Sequence, residues 1–179
     1  SRVMVSPENQ ELFQHFLTDS AIKFGIEIEN VDEVIEKDKA ERGHGRAKRS
    51  AEQANFELYW TFEEMEFSML QLAKLHPKIL KLEVIGQSIE KRNIYAVRIS
   101  RNERFGNSPI IFVDAGTHAR EWVGHASAMY LIHQLVVNST IGAELTDGLD
   151  WVIVPVVNPD GYVYTWEEDR LWRKNRRFV

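Results

Sequence analysis

Cysteine is absent from all 179 residues. That excludes thiolate metal clusters, cysteine nucleophiles and disulfides within this stretch, and leaves imidazole and carboxylate to hold any metal. There is no apolar run of about 18 residues, so no segment has the make-up of a bilayer-spanning helix. A basic excess is missing as well. The 22 Lys and Arg against 27 Asp and Glu give a net charge of −5, which argues against nucleic-acid or membrane-surface partners. The chain opens at Ser1 with neither a charged n-region nor an apolar h-region, and we expect its natural start to lie upstream. What is present, 44% hydrophobic and 27% charged residues, matches a soluble globular protein with one good core, or a small domain joined to part of a larger one.

Two regions can be read along the chain. Ser6 and Pro7 can open a helix over 6–17 whose stripe is Leu12, Phe13, Phe16 and Leu17. The alternation of Ile22, Phe24, Ile26 and Ile28 with polar or small neighbours predicts a half-buried strand, and a second helix is expected over about 31–41. Residues 43–50, GHGRAKRS, have two glycines, clustered cations and no apolar anchor. They read either as a solvated loop or as an exposed cleavage site for a trypsin-like or furin-like protease. Beyond them, Thr61 and Glu64 have capping-box spacing ahead of Met65, Met69, Leu72 and Leu75, and Pro77 ends that helix. Strands are expected near 80–86 and 94–99 with a turn near 90–93. The runs at 109–115 and 151–157 read as strands buried on both faces, with a helix over 123–137 between them. Such alternation predicts an α/β domain with a parallel or mixed sheet.

The chemistry is concentrated where these elements end. Gly116-Thr117-His118-Ala119-Arg120-Glu121-Trp122 follows one apolar strand and precedes a helix, the position where α/β sheets place their sites. His118 and Glu121 are three residues apart, so one turn can aim an imidazole and a carboxylate at one point, and zinc accepts that pair. A bare HxxE is also a common surface pairing. His125, one turn further on, is a conceivable third ligand or a packed helix residue, whereas His15, His44, His76 and His133 have no partner at metal-binding spacing. The segment 157–162, VNPDGY, reads as a turn rich in breakers. In 170–177, RLWRKNRR, five cations surround a tryptophan. They form either a nucleic-acid patch, which the acidic balance disfavours, or a basic loop that steadies an oxyanion.

Taken in order, HAREW, VNPDGY and RLWRKNRR resemble the motifs of the pancreatic A/B-type zinc carboxypeptidases, and the resemblance runs back to about residue 51. Residues 3–42 resemble the second half of that family's inhibitory prosegment. The resemblance implies an incomplete three-layer α/β/α carboxypeptidase domain with a mixed sheet over 50–179. Before it, over 1–49, would come the end of a small α+β open-sandwich prosegment with its activation link. It implies one Zn2+, with His118 and Glu121 as two of its three protein ligands. Arg120 would line a substrate subsite and Arg173 would polarise the scissile carbonyl, while Arg46, Lys48 and Arg49 would mark activation cleavage. It further implies a secreted monomer, made as a zymogen, that hydrolyses the C-terminal bond of peptides and proteins. In the family the third ligand, the carboxylate-gripping residues and the general base lie beyond the position of Val179, so this stretch alone is expected to bind zinc poorly and to be inactive. The alternatives are a non-catalytic binding protein and a related zinc amidohydrolase.

Overall fold

In the computed structural model, which describes residues 2–42, 54–102 and 105–178, the chain divides into two units, 1–44 and 45–179. The first unit is helical among its described residues. A short 3-10 turn, Pro7–Asn9, leads into α1 (Gln10–Asp19), and α2 (Val31–Arg42) follows. Ser6 keeps the extended backbone of a cap, but its hydroxyl accepts from the Asn9 side-chain amide at 2.9 Å and bonds no helix N–H.

The strand expected over 22–28 does not form. Ile22, Phe24, Ile26 and Ile28 are all exposed, as are Leu12 and Phe16. An isolated extended segment has no ladder partner to pair its backbone, and alternation produces a buried face only when a second layer covers it. None of the described residues of this unit is buried. Arg46, Lys48 and Arg49, the expected cleavage positions, lie outside the described residues.

The second unit has a hydrophobic core. It opens with α3 (Phe62–Leu75), started by the expected capping box. The Glu64 amide donates to Thr61 Oγ1 at 3.3 Å, and the Thr61 amide to Glu64 Oε2 at 2.8 Å, satisfying two donors a helix start otherwise leaves orphaned. Then come the hairpin β1 (Leu80–Gln87) and β2 (Asn93–Ile99), β3 (Ile110–Asp114), α4 (Trp122–Val137), α5 (Ser139–Leu145), β4 (Asp150–Val154) and α6 (Pro159–Glu167). The four strands form a mixed sheet in the order β1-β2-β4-β3, in which only the β3–β4 pair is parallel. Met65, Met69 and Leu72 of α3 share one core with Val97 and Ile99 of β2, Ile132 and Leu135 of α4, Ile153 of β4 and Tyr162 of α6. The α/β class and mixed sheet are as expected.

Two local expectations are corrected. The run at 109–115 is not buried on both faces: β3 is an edge strand among the described residues, and its Phe112 is 62% exposed. A continuous apolar run does not report how many neighbours a strand has. The VNPDGY segment is a helix start rather than a turn. Asn158 Oδ1 accepts from the Gly161 amide at 3.0 Å, and Pro159 occupies the first helical position, where its missing N–H is no loss and its φ is already helical. Asn, Pro and Asp serve turns and helix starts equally well, so composition could not separate the two.

Candidate metal and oxyanion site

The loops that leave β3 and β4 run side by side. The Ala115 amide donates to Val154 O, the Val157 amide to Ala115 O and the Asn158 amide to Gly116 O, at 2.9, 2.9 and 3.2 Å. The ladder therefore continues past both strand ends and splits at Gly116. That residue has φ +73°, and a Cβ there would fall 2.3 Å from His125 Nε2, so both backbone and space require glycine.

From Gly116 the chain makes a tight turn, with the Glu121 amide donating to His118 O at 3.1 Å, before α4 begins. Glu121 is at the N-cap position but its carboxylate caps nothing. It faces His118 instead, and both of its oxygens lie 3.1 Å from His118 Nδ1. Arg173 brings Nη2 to within 3.4 Å of the same nitrogen. The His118 imidazole, the Glu121 carboxylate and the Arg173 guanidinium thus converge beyond the carboxyl end of β3.

This arrangement has the donor chemistry of half a zinc site. Two ligand atoms each about 2.1 Å from one tetrahedral ion lie about 3.4 Å apart, and the 3.1 Å seen between Nδ1 and the carboxylate oxygens is only a few tenths short. Two lone-pair donors facing each other need a proton or a cation between them. Among the described residues no group of three His, Asp or Glu side chains is placed to hold a metal ion.

His125 does not supply a third ligand. The side chain is fully buried, its ring stacks on Tyr162 with centroids 4.1 Å apart, and neither ring nitrogen has a hydrogen-bond partner. Burial pushes its pKa down to about 4, with the Glu121 backbone and charge pulling the other way. It is a neutral core histidine beneath the 116–121 loop.

The basic segment folds back on that loop. The Ala119 amide donates to Arg173 O at 3.1 Å. Arg170 donates to Arg120 O at 3.0 Å with its guanidinium 3.8 Å above the Trp122 ring, and Arg120 reaches Leu171 O at 3.4 Å. Arg176 lies 3.7 Å over Tyr164 and 3.8 Å from Glu90. Three of the segment's five cations thus face partners within the molecule, which counts against a free polyanion-binding patch.

Sequence reasoning missed two polar residues of this neighbourhood. Asn158 lies between the two loops. Asp160, 3% exposed, accepts from Ser88 Oγ at 2.6 Å, the Glu90 amide at 3.1 Å and Arg92 Nη1 at 2.8 Å, and so pins the β1–β2 turn to α6. The one available signal was an Asn and an Asp flanking a proline at a strand exit.

Comparison with known proteins shows the family. A family model described as "Zinc carboxypeptidase" matches residues 65–178, and one described as "Carboxypeptidase activation peptide" matches residues 1–38. Carboxypeptidase B of Rattus norvegicus is 34% identical over 177 residues, covering 96% of this chain and 40% of the relative. Zinc carboxypeptidase A 1 of Anopheles gambiae is 31% identical over 176 residues, covering 98% and 39%. The crystal structure of the carboxypeptidase A from Helicoverpa armigera superposes with a TM-score of 0.86 at 34% identity, covering 97% of this chain and 43% of that one. The chain thus spans about two fifths of the length of these relatives. With both family models matched in order along one chain, this protein belongs to the zinc carboxypeptidases and includes sequence of their activation peptide.

Proposed function

We propose that the protein carrying this chain is a secreted carboxypeptidase precursor that removes single residues from the C-termini of peptides and proteins. The observation that carries this reading is the convergence of the His118 imidazole, the Glu121 carboxylate and the Arg173 guanidinium at one sheet end. His118 and Glu121 hold the metal. When bound, zinc supplies Lewis acidity toward water and carbonyl oxygen. Arg173 donates N–H groups to the scissile carbonyl oxygen as it gains negative charge. Arg120, on the adjoining turn, lines the subsite on the amino side of the scissile bond. Residues 1–49 form the prosegment portion and 50–179 the catalytic portion, joined by a link cut after Arg46, Lys48 or Arg49 by a trypsin-like or furin-like protease. The product acts as an extracellular monomer. A-type and B-type relatives lie at nearly equal identity, so the preferred C-terminal residue is left open between aromatic or aliphatic and basic.

The test uses the processed protein with peptides ending in Phe, Leu, Lys or Arg. Release of one C-terminal residue at a time is expected, abolished by a chelator and restored by zinc. In Glu121→Ala the zinc content should fall well below one per chain. Cleavage at internal bonds, or full activity in the doubly substituted His118→Ala, Glu121→Ala protein, would overturn the reading.

A further inference from the structure

The metal loop and the arginine loop come from different strand exits, and one buried side chain touches both. Asn158 is 6% exposed. Its Nδ2 donates to Lys174 O at 3.0 Å and to Thr117 O at 3.3 Å, while its Oδ1 accepts from the Gly161 amide at 3.0 Å. Thr117 immediately precedes His118 and Lys174 immediately follows Arg173. The main chain of Asn158 is occupied as well, its amide donating to Gly116 O at 3.2 Å and its carbonyl accepting from the Tyr162 amide at 3.0 Å. A planar amide with two N–H groups and one carbonyl suits this place. Aspartate would keep the helix cap but turn an oxygen toward two carbonyls, and serine would offer a single donor.

Gly161 points to the same junction independently. A Cβ there would come within 2.5 Å of both Asn158 Nδ2 and the backbone oxygen of Lys174, so the space is closed to any side chain. The backbone of this residue lies where the Asn158 amide meets the arginine loop.

We propose that Asn158 is a positioning residue: its side-chain amide clamps the backbone beside His118 to the backbone beside Arg173, and so sets where the Arg173 guanidinium stands relative to the metal ligands. The clamp acts in series with the Ala119–Arg173 backbone bond and makes no contact with substrate. Oxyanion donors lose most of their effect when displaced by about 1 Å. The inference rests on the function proposed above for Arg173.

The experiment compares Asn158→Asp, Gly161→Ala, Arg173→Ala and Asn158→Asp combined with Arg173→Ala in the processed protein. Asn158→Asp keeps the acceptor for the Gly161 amide, and Gly161→Ala wedges the junction with Asn158 intact. Either variant is expected to lower kcat by about 10- to 100-fold with KM within about threefold, as for a displaced oxyanion donor. The double variant should be no more than about threefold worse than Arg173→Ala alone, because the clamp acts only through that arginine. A readout that needs no turnover is hydrogen exchange at the Ala119 amide. It should speed up at least tenfold in either clamp variant while amides of the core strand β2 keep their protection. The clamp is refuted if Arg173→Ala lowers kcat but both clamp variants keep wild-type kcat and Ala119 protection. It is also refuted if protection falls throughout the unit, which marks general destabilisation. If Arg173→Ala leaves kcat unchanged, the proposed role of Arg173 fails instead, and Ala119 exchange alone decides whether the clamp exists.

Discussion

A histidine held neutral in a core should make the fold sensitive to acid, and His125 allows the effect to be sized. Its ring is fully buried against Tyr162 and over Gly116, and burial moves its pKa from 6.5 to about 4. Above pH 6.5 the side chain is neutral in both the folded and the unfolded chain and adds no pH dependence. Between 6.5 and about 4 the unfolded chain takes up a proton that the folded chain refuses. Stability therefore falls as pH falls, by up to about 1.4 kcal/mol per pH unit and about 3 kcal/mol over the whole window. Below about pH 4 the loss is complete and this group contributes no further slope. Carboxylates titrate in the same range, so the measurement is a difference. Urea unfolding of the wild type and of His125→Leu is followed by tryptophan fluorescence at half-unit steps from pH 7.5 to 4. Leucine has a similar volume and removes two buried nitrogens that lack partners, so at pH 7.5 the variant should lie within about 1.5 kcal/mol of the wild type. The gap should then shift in favour of the variant by about 3 kcal/mol as pH drops to 4. Parallel pH profiles for the two proteins would refute the claim that the buried ring resists protonation.

Further outcomes follow from other buried or capped groups. Asp160→Ala should cost about 2–4 kcal/mol in chemical denaturation, since it strips Ser88 Oγ, the Glu90 amide and Arg92 of their shared acceptor; a loss under 1 kcal/mol would show that water takes over all three. Thr61→Ala should cost about 1 kcal/mol, the usual worth of a capping side chain, and the loss should appear as faster hydrogen exchange in the first turn of α3. Brief trypsin treatment of the precursor should cut first after Arg46, Lys48 or Arg49 with activity rising in step. A first cut elsewhere, without activation, would defeat the processing proposal.

How far the sequence could be read depended on how local each signal was. The capping box at Thr61 and Glu64 needs only four residues and formed as written. The β1–β2 hairpin and the helix of 122–137 likewise rest on patterns that a short window contains. The alternation at 22–28 is equally clear in the sequence, yet no strand formed, because a strand is a property of a pair and none of the described residues pairs with this segment. The edge position of β3 was hidden for the same reason: Phe112 reads as core, but its burial depends on which strands lie beside it. At the site, the His118–Glu121 pairing was legible because both residues lie on one turn.

Arg173 shows where reading by spacing ends and chemistry has to take over. It is 55 residues from His118, a separation that carries no spacing signal, yet its Nη2 comes within 3.4 Å of the imidazole. Its chemical type suited an oxyanion, but only the parallel β3–β4 pair makes the two loops neighbours. Parallel pairing starts the 115–121 loop and the 155–158 segment at the same end of the sheet. Helix α6 then returns the chain so that 170–174 reaches that end again, where the Asn158 side chain, at the start of α6, meets Lys174 O. The proposed clamp would act where the returning segment and the loop after β3 meet. The same geometry explains why the buried Asn158 amide bonds the backbone next to His118 and the backbone next to Arg173.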